Sequence, residues 1–341
     1  MPNPKNGNRT MIPTKRIALT LPSPDGTVAG SIAAARQAEA LGYQDIWLAD
    51  AGGLDALTLA PLLLEHTEKL RIGIAVIPIF TRTPAVLAST FSVLEQAYPG
   101  RFIPGLGTSS HAIIEGWHGL PFEKPVTRTR EIMALLRTIM AGEKTAFSGD
   151  TLRSHGYRQG VTETPIYLAA LRPRMLETAA EIGDGVILNL YPRSALPKIL
   201  GHIRDGAERA AKNPDSVEVV SRQMTVVTDD KTSARAAFRA AFSAYYSTPV
   251  YNKFLAWCGF EDAAREIREG WASKDRERTA AALSDELVDD IAFIGSASEC
   301  QEQIRWCADS GVHTQIISCI QPTSEIYTAT LQAFGAEQFT L

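Results

Sequence analysis

"RIGIAVIPIFTRTPAVLASTFSVLEQAYPGRFIPGLGTSS", residues 71–110, holds two apolar runs with a helix-length stretch between them. The first run, "RIGIAVI" (71–77), has no polar alternation, and "RFIPGLG" (101–107) repeats that character after the stretch 84–97. A strand apolar on both faces is a strand covered on both faces, which is the condition of a parallel sheet under helices. Joining two parallel strands requires a crossover, and residues 84–97 supply one of helical length.

The same unit recurs on either side. "RIALTL" (16–21) ends in "PSPDG" and leads to apolar residues at helical spacing over 28–41, with Gly42 as a stop. "DIWLA" (45–49) precedes a helical stretch at 54–66. A helix is expected over 126–141, and "KTAFSGDTLRSHGYRQG" (144–160) reads as a hairpin-like excursion. "PIYLAA" (165–170) leads to a helix opened by Pro173, and "GVILN" (185–189) to another at 194–211. The last two strands are expected at 217–227 and 313–319, and Ser298 with Gln301 stands at capping-box spacing ahead of the last strand. Eight strands in βα alternation favour an α/β fold of the (β/α)8 TIM-barrel type over an open sheet. Residues 1–14 read as a disordered lead-in, and 15–341 as one barrel domain. Residues from about 229 to 290 read as an insertion region before the last strand.

Composition narrows the function. A net charge of −4, with Lys and Arg dispersed, provides no basic footprint for nucleic acid. No apolar run approaches the roughly 18 residues of a membrane span, so a small-molecule substrate is the expected partner. Cys258, Cys300, Cys307 and Cys319 form no CxxC pair and have no histidines at ligand spacing, which argues against a metal site. Unpaired thiols of this kind fit the cytoplasm.

"GLGTSSHAIIEGWHG" (105–119) ends the fourth strand, which on a barrel puts it on the C-terminal face where sites lie. It is not a dinucleotide fingerprint, because Ser110 stands where the third glycine belongs. Gly107 admits close approach to the backbone, and Thr108 and Ser109 offer hydroxyls. Pro173 opens a helix whose first N–H groups suit an anion, and Arg172 adds a bidentate donor. Asp50 and Asn189 are polar residues at strand ends, and His111 is the nearest titratable group. Trp117 and His118 read first as loop packing, Arg82 and Arg101 as ion-pair formers, and His66, His202 and His313 as surface groups. Tyr245, Tyr246, Tyr251 and Trp257 form either a lid or a small satellite core.

Taken with "AEALGYQDIWLAD" (38–50) and "PIYLAALRPRMLETAAEIGDGVILN" (165–189), the stretch 71–110 resembles the luciferase-like flavin and deazaflavin oxidoreductases. It is most similar to the branch using coenzyme F420, which includes the methylenetetrahydromethanopterin reductases. The resemblance implies a homodimeric enzyme that moves a hydride between F420 and a small organic substrate. It implies a non-prolyl cis bond at Ala75–Val76 behind the cofactor ring, with Ile77 beside it. It further implies cofactor contacts at Asp50, Gly107, Thr108, Ser109, Ala169, Ala170, Leu171, Arg172, Pro173 and Asn189. Two departures bear on the chemistry. Ala51 and Ser110 stand where F420-dependent sugar-phosphate dehydrogenases carry His and Glu, leaving Asp50 and His111 as the catalytic candidates. Leu171 and Arg172 stand where several members have a second glycine. The alternatives are an FMN-dependent luciferase-like monooxygenase and a flavin-binding barrel without catalysis.

Overall fold

A computed structural model describes residues 13–21, 25–320 and 323–341, so the lead-in expected over 1–14 lies almost wholly outside the described residues. The chain runs β1 (Arg16–Leu21), α1 (Val28–Ala40), β2 (Asp45–Leu48), α2 (Ala56–Glu65), β3 (Arg71–Pro78), α3 (Pro84–Ala97) and β4 (Phe102–Gly107). A π-helical turn (Ala112–Trp117) and α4 (Pro125–Met140) lead to an antiparallel hairpin, β5 (Ala146–Ser148) and β6 (Arg153–His155). Alternation resumes with β7 (Tyr167–Ala169), α5 (Pro173–Ile182), β8 (Gly185–Asn189), α6 (Leu196–Arg209) and β9 (Glu218–Val227). Helices α7 (Lys231–Ser247), α8 (Pro249–Trp257), α9 (Glu261–Ala272), α10 (Arg276–Ala281) and α11 (Asp285–Ile291) follow. The chain then closes with β10 (Ala292–Gly295), α12 (Ala297–Asp309), β11 (Thr314–Ser318) and α13 (Ser324–Ala333).

Strands β1, β2, β3, β4, β7, β8, β9 and β11 pair in parallel around a closed ring, each hydrogen-bonded to two neighbours. This is the expected (β/α)8 barrel. Its helices begin where the side chains allow. Thr83 accepts the Val86 N–H ahead of Pro84, whose missing N–H costs nothing at the first turn, and Asp55 does the same for Thr58 at the start of α2.

The inserted helices precede the last strand as expected, but one element was not anticipated and one expectation needed correction. A ninth strand, β10, pairs with the far end of β9 outside the ring and stands between the inserted helices and the last barrel unit. Its "AFIG" directly follows α11 with no turn residue between them, which hid it. The capping box is Ser296 with Glu299, not Ser298 with Gln301. Helix α12 starts as soon as Gly295 ends β10, and the Ser296 N–H donates to Glu299 at 2.8 Å.

Three cores hold the fold. Most of the buried apolar side chains lie between the barrel and its helices. A second cluster joins α7, α8, α9 and α11 to the far end of β9 and to β10. The third fills the barrel with Ala18, Trp47, Ile103, Tyr167, Ile187, Val220 and Ile316. Room for the large rings is made by glycine: a Cβ at Gly73 would lie 2.5 Å from the Trp47 ring, and one at Gly185 would lie 2.7 Å from Tyr167.

Below this apolar layer, toward the strand N-termini, the barrel is closed by charge. Arg71 donates to Asp45 at 2.6 Å and to Glu218 at 3.0 Å, while Thr314 and Tyr167 add hydroxyl donors to Glu218 at 2.6 and 2.5 Å. Burial opposes the Glu218 charge. The Arg71 guanidinium and these hydrogen bonds outweigh it and hold the carboxyl below its ordinary range. With one end plugged, the open end is the C-terminal mouth.

Candidate functional site

The mouth is lined by inward-facing residues toward the C-terminal ends of the strands. Along β9, Glu218, Val220 and Arg222 share one face, and Val220 belongs to the barrel interior. Arg222 is in register with Asn189 on β8 and with Ile316 on β11, so all three point inward. Ala75, Val76 and Ala169 pack on the same interior cluster.

Between β3 and β4 the register breaks from Ile74 to Ile77, and the Ala75–Val76 peptide is cis, as expected from the resemblance. Gly107 faces this break. A Cβ there would lie 2.3 Å from Val76 Cγ2 and 3.4 Å from Ala169 Cβ, so only glycine leaves the space as it is. Ser109 beyond it takes φ 61° and Leu190, just after β8, takes φ 51°. Such left-handed conformations in non-glycine residues gather at functional sites.

Other expected residues turn elsewhere. Ile77, Ala170 and Leu171 pack toward the helix-facing core, leaving their backbone as what they present to the mouth. Thr108 and Ser109 are half-buried beyond Gly107, and Arg172 is exposed at the N-terminal cap of α5, whose first turn Pro173 opens. No side chain caps that helix; Pro173 brings no N–H and the Met175 and Leu176 N–H groups donate to the Arg172 carbonyl at 2.9 Å, which leaves the Arg174 N–H without a partner among the described residues.

Asp50, two residues beyond β2, accepts from Arg82 Nη1 at 2.8 Å. Arg82 also bonds the capping residue Asp55, so it ties the loop after β2 to the loop after β3, the structural role expected of it. Arg101 instead donates to the Leu70 carbonyl and the Thr67 hydroxyl. His111 is exposed, and its ring lies 4.2 Å from that of Phe122. No hydrogen bond joins it to Asp50 among the described residues. Trp117, 62% exposed, rests over Gly52, where a Cβ would meet its ring at 3.2 Å. His313, expected at the surface, is half-buried and accepts the Val219 N–H at 3.0 Å through Nδ1.

The inserted helices reach the mouth through tyrosines. The Asn189 amide donates to the Tyr251 hydroxyl at 3.0 Å, and Tyr246 donates to the Leu190 carbonyl at 2.9 Å. Tyr246 is fully buried, while Tyr245 is exposed and packs edge-on against Tyr251. Of the four aromatics expected as lid or core, Tyr246 is core and Tyr251 borders the mouth.

Sequence reasoning missed Arg222, whose signal was an arginine at inward parity in the apolar run "VEVVSRQMTVV". Several buried polar atoms in the barrel have no hydrogen-bond partner, among them Thr20 Oγ1, Asn189 Oδ1 and Trp47 Nε1. Native cores rarely leave such atoms unpaired, so orphans at a barrel mouth mark a place for a ligand.

Two other features lie outside the mouth. A cleft of about 730 Å³ is lined by Arg193, Phe260, Glu266, Glu286, Asp289 and Asp290 among others, and its excess of carboxylates repels an anionic ligand. Glu177, His202 and Asp205 place ligand-capable atoms within 4.8 Å of one another, but Glu177 is already bonded to His202 and Arg209.

Residues 10–314 match the family model described as luciferase-like monooxygenase. The chain belongs to that family. As a luciferase-like protein it is an oxidoreductase, and barrels of this type place their sites at the C-terminal face. It is 28% identical over 298 residues to a 5,10-methylenetetrahydromethanopterin reductase of Methanolobus tindarius, covering 85% of this chain and 90% of that one. Among solved structures it resembles the coenzyme F420-dependent tetrahydromethanopterin reductase of Methanopyrus kandleri, with TM-score 0.77 and 21% identity over 95% of this chain and 98% of the other. It also resembles the oxygenating component of 3,6-diketocamphane monooxygenase of Pseudomonas putida in complex with FMN, with TM-score 0.72 and 15% identity over 95% and 98%.

Proposed function

We propose that this luciferase-like protein is an F420-dependent oxidoreductase that transfers a hydride between the deazaflavin and a small organic substrate. The observation that carries the reading is the pairing of the register break at Ala75–Val76 with Gly107, beside an α5 N-terminus that no side chain caps. The break and the glycine make a flat, side-chain-poor wall suited to a planar ring, and the helix end with Arg172 suits the cofactor's phosphate. The orphaned Asn189 Oδ1 offers a polar contact within the same mouth.

On this reading Ala75, Val76, Gly107 and Ala169 wall the ring, while Thr108, Ser109, Arg172 and Pro173 hold the phosphate side. The bound deazaflavin supplies the hydride chemistry, and the protein supplies position and electrostatics. Asp50, kept in place by Arg82, and the exposed His111 are the proton-handling candidates. No described helix is long and apolar enough to cross a membrane. A cytoplasmic location and a homodimer belong to the same proposal; exposed Val86 and Val93 on α3 are consistent with a second copy, and sedimentation would test it.

The FMN-dependent alternative has the camphane monooxygenase likeness in its favour. Titrating the cofactor-free protein with F420 and with FMN separates the two. Tight F420 binding, weak FMN binding and about tenfold loss of F420 affinity in Arg172→Ala support the proposal. Selective FMN binding with oxygen consumption overturns it.

A further inference from the structure

The charges of the barrel are unequally matched at its two ends. At the plugged end Arg71 meets two carboxylates. At the mouth Arg222 meets none: its hydrogen bond goes to the neutral Ser318 hydroxyl, at 3.1 Å from Nε, and no ion pair reaches it among the described residues. Its register partners are the apolar Ile316 and the amide-bearing Asn189, and the phenols of Tyr245 and Tyr251 lie near its charge. Burial works against its charge, and no carboxylate among the described residues offsets that.

A half-buried cation without a counter-ion costs free energy that a bound anion would recover. A guanidinium bonded through Nε keeps its two terminal nitrogens for the parallel pair of bonds that a carboxylate accepts. The orphaned Asn189 Oδ1 in the neighbouring register position, together with Thr20 Oγ1, shows that the polar groups around this point are not satisfied by the protein alone.

We propose that Arg222 is a specificity-determining residue that binds the carboxylate of a small organic acid substrate, with Asn189 and Ser318 as its polar neighbours. The proposal rests on the oxidoreductase reading of the mouth and names the substrate class for it. Tyr251, from the inserted helices, fixes Asn189 from above and so shapes the same subsite.

The test uses matched acids and amides as probes: lactate with lactamide, and benzoate with benzamide. Binding is followed by calorimetry on the cofactor-free protein and again with F420 present. The expected result is that at least one acid binds about tenfold or more tighter than its amide. That preference disappears in Arg222→Gln and is partly kept in Arg222→Lys. Circular dichroism checks that each variant is folded, and if the glutamine variant is not, Arg222→Met and Arg222→Lys make the comparison. Equal binding of acids and amides in both forms of the protein overturns the proposal, as does a preference that survives loss of the charge. F420 affinity is expected to be unchanged by Arg222→Gln. Loss of F420 affinity without any acid preference overturns the proposal and assigns Arg222 to the cofactor. Failure of F420 to bind the unmodified protein counts against the cofactor reading alone, since the acid titration of the cofactor-free form still decides this one.

Discussion

Asn189, the last residue of β8, donates its amide hydrogen to the hydroxyl of Tyr251 on α8 at 3.0 Å, which joins the barrel wall to the inserted helices. Neighbouring Leu190 takes φ 51° and accepts from Tyr246, so two adjacent residues at one strand end anchor two tyrosines. The insertion is thereby part of the mouth's architecture.

Replacing Tyr251 by Phe keeps the ring and removes the acceptor. The half-buried Asn189 amide then loses its partner, and a hydrogen bond of this kind contributes about 0.5–1.5 kcal/mol. Chemical denaturation should show a loss of that size. A change near zero would mean that Asn189 turns to another partner and that the bond does not hold the insertion.

Arg71 supports both Asp45 and Glu218 inside the barrel, and its side chain is 15% exposed. Arg71→Met preserves bulk and leaves two carboxylates without their counter-ion. Removing one partner of a buried ion pair costs about 3–5 kcal/mol. The variant should therefore unfold at much lower denaturant than the parent, and the double variant Arg71→Met, Glu218→Gln should recover part of the loss. Full stability in Arg71→Met would show that the plug is dispensable.

Acid should find the same region. Glu218 has its carboxyl held below the ordinary 4.5, so its contribution is present above that value and is lost as pH falls through the lower, folded value. His313 is also depressed below 6.5, by burial, and its Nδ1 must stay unprotonated to accept the Val219 N–H. Its contribution begins to fall as pH drops below 6.5. Unfolding free energy followed from pH 7 downward should decline in two stages, the first absent in His313→Gln and the second blunted in Glu218→Gln. A curve unchanged by both variants would refute this assignment.

How much of this the sequence disclosed follows from what each residue had to signal. The barrel was legible because runs such as "RIGIAVI" are apolar on both faces and are spaced by helix-length segments. Strand β10 was not, since four residues directly behind a helix carry no period of their own. Ser296 lost to Ser298 in the capping assignment because, with β10 unseen, the helix start had no strand end to follow. The phosphate side of the site could be read from Pro173 and Arg172, whose roles are local. Arg222 is a different case: its importance lies in the carboxylate that does not face it, and that is a property of three strands together.

Gly107 offers the sharpest test of the cofactor wall. Its φ is not in the left-handed region, so alanine is tolerated by the backbone, and any effect of Gly107→Ala comes from the added methyl group meeting Val76 Cγ2 at 2.3 Å. Val76 must then shift into the mouth or toward Ala169, at an overpacking cost of about 1–3 kcal/mol. Gly116, in the turn after β4, is the control. A Cβ there meets nothing within 4 Å, and Gly116→Ala should change stability by no more than about 0.5 kcal/mol. If the ring of F420 lies against the break at Ala75–Val76, Gly107→Ala should weaken F420 binding by more than its effect on stability explains, while Gly116→Ala leaves it unchanged. Measuring cofactor affinity by fluorescence beside stability by denaturation separates the two effects. Undiminished affinity in folded Gly107→Ala would remove the wall from the site and place the ring elsewhere in the mouth.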